Sequence, residues 1–137
     1  MKKILCLIPL LAVSAFGQPE TLTPLVCSGV STSTTPVTAT SQTLSAYINA
    51  LKIVVSPAAT TCTVSIATGA LTLYSATGVT GTIPVLHPFV QGSTNGTAVA
   101  AFSKAFLASD AITVSAHTAT TVTNLTVTVT AIIERNP

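Results

Sequence analysis

The chain is predicted to be all-β: a single antiparallel β-sandwich, jelly-roll or immunoglobulin-like, with seven to nine short strands. Three observations carry that prediction. The 137 residues include 26 threonines and 15 valines, which are stiff at χ1 and favour extended backbone over helix. Apolar and polar residues alternate with a period near two over most of the second half. Glycine, proline and Asn-Gly turn signals recur about every ten residues, the punctuation of a sandwich. No fixed-period repeat of the solenoid or propeller kind is present.

Each element follows in order. Met1–Gly17 reads as a cleavable signal peptide: Lys2 and Lys3 form a basic start, Ile4–Ala15 is apolar, and Ala15-Phe16-Gly17 supplies small residues for cleavage. Residues 18–43, rich in Thr, Ser and Pro, read as an extended arm with one strand near Leu25–Val30. The sandwich domain is expected over residues 44–137. Leu44, Tyr47, Ile48, Leu51 and Val55 fit helical spacing. The β-branched run Ile53-Val54-Val55 resists a helix, so a strand is assigned to Ala46–Ser56, closed by Pro57.

From Cys62 the period is two. Cys62, Val64 and Ile66 face one way and Thr63 and Ser65 the other. Ala70–Tyr74 resumes the pattern after Gly69, and Gly78 and Gly81 mark turns. Ile83–Val90 is a strand weakened by Pro84 and Pro88, which suits an edge or a bulge. Asn95-Gly96 is a two-residue hairpin signal. Thr97–Phe102, Ala111–Ala116 and Asn124–Glu134 complete the set. In the last, Leu125, Val127, Val129 and Ala131 alternate with Thr126, Thr128 and Thr130, giving one apolar face and one hydroxyl face.

The layout Leu51–Val55, Cys62–Ile66, Leu71–Tyr74 with Gly78, Ala108–Ser115 and Val127–Glu134 resembles the small β-sandwich structural proteins encoded beside phage head and tail genes. The resemblance covers roughly residues 46–134 at the level of pattern. It implies a virion decoration protein.

Charge and cysteine content narrow the function. Beyond the leader, Lys52, Lys104 and Arg135 balance Glu20, Asp110 and Glu134, so the remaining chain is formally neutral. Three cations cannot neutralise a phosphate backbone, which argues against nucleic-acid binding. An apolar leader this short does not span a bilayer, so no membrane association is expected after cleavage. The expected location is secreted, periplasmic or cell-surface. Cys6 leaves with the leader, and Cys27 and Cys62 remain as an even pair expected to form a disulfide.

Catalytic candidates are sparse, and no enzyme is expected. His87, His117 and Asp110 are the available base and acid groups for a serine triad. Asp110 and His117 flank one predicted strand, about 20 Å apart at 3.3 Å per residue. Gly92-Ser93-Thr94-Asn95-Gly96 has its serine misplaced for a nucleophile elbow. Glu20, Asp110 and Glu134 are the acids a glycosidase pair would draw on, and two lie near the ends of the chain. The two histidines are 30 residues apart, so no metal or other cofactor is expected. Tyr47, Tyr74, Phe89, Phe102 and Phe106 are about the aromatic complement of one core. The sequons at Asn95 and Asn124 are counted as chance behind a leader of bacterial type.

What remains is a secreted, non-catalytic structural or adhesive module that acts through self-association or a protein partner. Its candidate interaction face is the row Thr126, Thr128, Thr130. Some ice-binding proteins use such rows, but they need several copies in register, and one is evident here. The alternative is a small glycan- or ligand-binding module.

Overall fold

The computed structural model describes residues 19–69, 71–86, 89–94 and 97–135. The expected leader, His87, Pro88 and the Asn95-Gly96 turn lie outside the described residues. The described chain holds eleven strands and no helix: β1 (Pro19–Thr21), β2 (Leu25–Ser31), β3 (Val37–Thr40), β4 (Leu44–Ser56), β5 (Cys62–Thr68), β6 (Leu71–Val79), β7 (Thr82–Leu86), β8 (Phe89–Thr94), β9 (Thr97–Asp110), β10 (Ile112–His117) and β11 (Val122–Glu134). Two antiparallel sheets pack face to face, so the β-sandwich expectation holds, with more strands than expected.

In the seven-stranded sheet, β11 and β4 are central. Along the outer edge of β11, β2 and then β1 lie in series, pairing with Val122–Val129 and Ile132–Glu134. Along the other edge of β4 lie β9, opposite Leu44–Ile48, and β7, opposite Leu51–Val54, with β8 outside β9. The second sheet has the order β3-β10-β5-β6. The strands placed from sequence survive with altered ends. The segment Ile83–Val90 is divided between β7 and β8, and Gly78 lies inside β6 rather than in a turn.

Period two explains the core. Val64, Ile66, Ile112 and Val114 of the smaller sheet face Ile53, Val55, Val127 and Val129 of the larger, and all are essentially inaccessible. Each such side chain contributes about 1.5–3 kcal/mol through removal of apolar surface from water. The mixed spacing in β4 has a specific cause. The register against β11 slips between Ile132, opposite Ala50, and Ile133, opposite Ile48, leaving Asn49 as an extra residue. Before this bulge Ala46 and Ile48 point inward, and after it Leu51, Ile53 and Val55 do. Such a bulge reverses the phase of a strand, which is why the segment imitates helical spacing.

The described part of the expected arm, residues 19–43, is extended, as its composition suggests, but it is not a separate arm. It supplies β1, β2 and β3, and so belongs to both sheets. Gly69 closes the β5–β6 hairpin at φ +31°, and a Cβ there would come within 2.9 Å of the Asp110 carboxylate. Glycine meets both constraints.

Candidate functional site

The hydroxyl row expected on β11 is formed. Thr126, Thr128 and Thr130 alternate with buried Leu125, Val127 and Val129, so they lie on the outer face of the larger sheet. Neighbouring strands extend the row sideways. Val26, Thr128, Val54 and Thr82 stand opposite one another across β2, β11, β4 and β7, while Ser28, Thr126 and Ser56 form the next line. Lys52 lies beside Thr130. Among the described residues the exposed large apolar side chains are Val26 at 53%, Val30 at 54% and Tyr47 at 37%. All three project from this same face, because each alternates with buried neighbours of β2 or β4.

The outer face of the smaller sheet is different in character. Thr38, Ser115, Ser65 and Ser75 stand in register across its four strands, and the next line is Thr40, Thr113, Ala67 and Thr72. Thr40 and Thr113 are hydrogen-bonded through their hydroxyls at 3.3 Å. In-register hydroxyls that the sequence did not reveal thus cross all four strands of this sheet, as they cross β2, β11 and β4 of the other.

The disulfide expected between Cys27 and Cys62 is not formed; both are buried free thiols. They sit in opposite sheets, and each turns toward a carbonyl of its own sheet. Cys27 Sγ donates to Val127 O at 3.5 Å, and Cys62 Sγ donates to Val79 O at 3.6 Å. Burial pushes both thiols above their ordinary value of 9.0, and in Cys62 the nearby Cys27 adds to the rise. A polar clasp holds the N-terminal segment to the smaller sheet. Buried Ser31, at the end of β2, accepts from the Thr118 amide through Oγ at 3.2 Å. Its carbonyl accepts from Thr118 Oγ1 at 3.1 Å, and Thr118 also reaches Thr120 O at 2.6 Å.

The acid and base candidates are dispersed. Asp110 ends β9 and accepts from the Ala111 amide at 3.1 Å, while His117 ends β10 on the outer face of its sheet opposite Thr63. The full length of β10 separates them. Glu134 Oε2 accepts from Asn49 at 3.4 Å, and Glu20 forms an ion pair with Arg135 Nε at 2.7 Å. Among the described residues no three His, Cys, Asp or Glu side chains converge as metal ligands.

Sequence reasoning missed a cleft of about 480 Å³ between the two sheets. It opens where β2 gives way to β1 and where β3 gives way to β4. Its floor is the inner face of β11 at Val129 and Ala131, its walls are residues 22–25 and 40–44, and Arg135 also lines it. Pro24 and the Ser41-Gln42-Thr43 link are its local signals, since both interrupt strands at the same level of the sandwich. No known protein family, characterised protein or solved structure matches the chain.

Proposed function

We infer that this protein is an exported, non-catalytic β-sandwich that works as a structural or adhesive surface module through self-association. One observation carries the reading. The exposed valines and Tyr47 all lie on the outer face of the larger sheet, the valines beside the hydroxyls of β11 and Tyr47 farther along the strands opposite Glu134. A broad face of this kind has a low desolvation cost and gains from apolar burial against a second copy. Charged side chains are the usual guard against such contact, and Lys52 is the charge nearest the threonine row.

Sedimentation velocity of protein lacking residues 1–17 tests this. Mass-dependent oligomers are expected at high micromolar concentration, with the doubly substituted V26K/V30K variant reverting to monomer. A wild-type protein that stays monomeric throughout overturns the reading, as does a variant that associates unchanged.

A further inference from the structure

We propose that the cleft between the sheets is a binding site for a small amphiphile with an apolar body and one carboxylate. The volume of about 480 Å³ lies within the range of small-molecule sites. Leu22, Leu25, Leu44, Val129 and Ala131 provide the apolar part of the lining. The last two belong to the buried face of β11, so the cleft reaches the wall of the core rather than a surface dimple.

Charge selects the other end of the ligand. Arg135 lines the cleft, and among the described residues no carboxylate does. Glu20 lies outside that lining and takes the guanidinium at Nε, at 2.7 Å. A guanidinium carries five N–H donors in a fixed fork, so anchoring Nε orients the group and leaves the terminal N–H groups for an anionic oxygen. Arginine suits this role because its paired donors match a carboxylate. The hydroxyls and amide of residues 40–43 add polar contacts along one wall. This site is independent of the self-association face, which is on the opposite side of the same sheet.

The test is a nuclear magnetic resonance titration of the labelled protein with decanoate, kept below its micelle concentration, and with decanol as the uncharged comparator. Saturable amide shifts are expected at residues 22–25, 40–44 and 129–135, with decanoate binding about tenfold more tightly than decanol. R135Q should bring decanoate to the level of decanol. T43W, at an exposed wall residue, should block both while leaving the far-ultraviolet spectrum unchanged. The proposal is overturned by the absence of saturable shifts, by shifts centred elsewhere, or by wild-type decanoate affinity in R135Q.

Discussion

Replacing Ser31 by alanine probes how the N-terminal strands are fastened to the rest of the sandwich. Ser31 is fully buried, and its Oγ is the acceptor for the equally buried Thr118 amide at 3.2 Å. In Ser31→Ala that amide loses its acceptor in a site closed to water. An unsatisfied buried donor costs about 1–3 kcal/mol. The Ser31 carbonyl still accepts from Thr118 Oγ1, so the clasp is weakened rather than released. Against a total stability of roughly 5–15 kcal/mol, such a loss should be plain. At about 4 °C per kcal/mol for a domain of this size, Tm should fall by roughly 4–12 °C. Urea unfolding followed by far-ultraviolet circular dichroism suits a chain without tryptophan. Ser33→Ala, in the exposed β2–β3 link, is the control and should change stability by less than about 0.5 kcal/mol. A Ser31→Ala protein within that same margin would refute the reasoning. A double-mutant cycle with Thr118→Val should show coupling between the two positions. Strictly additive losses would mean that the contact contributes nothing of its own.

Other outcomes follow from the same geometry. Ile53→Ala removes a fully buried side chain between Val129 and Ile83 and should cost about 2–5 kcal/mol by urea denaturation. Gly69→Ala should cost more than about 1 kcal/mol, because both the left-handed backbone and the Asp110 carboxylate oppose a Cβ. A stability equal to wild type there would mean that the hairpin relaxes freely. In reduced protein the raised pKa values of Cys27 and Cys62 mean that the fold favours their neutral thiols. Their contribution is therefore complete below pH about 9 and lost as pH rises through the folded values. The urea midpoint should decline in that alkaline range, and less so in Cys62→Ala. Denatured without reductant, each chain should take up an alkyl group at Cys27 and at Cys62; a mass showing no uptake would mean that the pair is bridged.

The local alternation of side chains was legible in the sequence, because in extended backbone the face a residue occupies depends on its parity alone. Hence Cys62, Val64 and Ile66 were placed inward from sequence, and Thr126, Thr128 and Thr130 outward. The same rule applied to Leu25–Ser31, with Cys27 inward, would have exposed Val26 and Val30, the clearest members of the candidate interaction face. Parity fails across a bulge. The extra residue at Asn49 in β4 reverses the phase, and only the register against β11 shows where.

Partnership was decided by the tertiary structure. β11 pairs with strands roughly a hundred residues away in β1 and β2, and nothing in a local window encodes such a pairing. The Thr/Ser/Pro-rich composition of residues 18–43 describes a segment with little order of its own. Hydrogen bonding to β11 and β10, the burial of Cys27 and the Ser31–Thr118 clasp order it nonetheless. The fate of the cysteines depended on three-dimensional placement in the same way. Their even number suggested a bridge, whereas in the structure they lie in opposite sheets as free thiols, Cys27 turned to the Val127 carbonyl and Cys62 to that of Val79. The cleft arises last of all, because it needs two strand interruptions far apart in sequence to fall at one level of the sandwich. Side-chain parity is a property of neighbouring residues, while pairing, clasp and cleft depend on which distant backbones lie side by side.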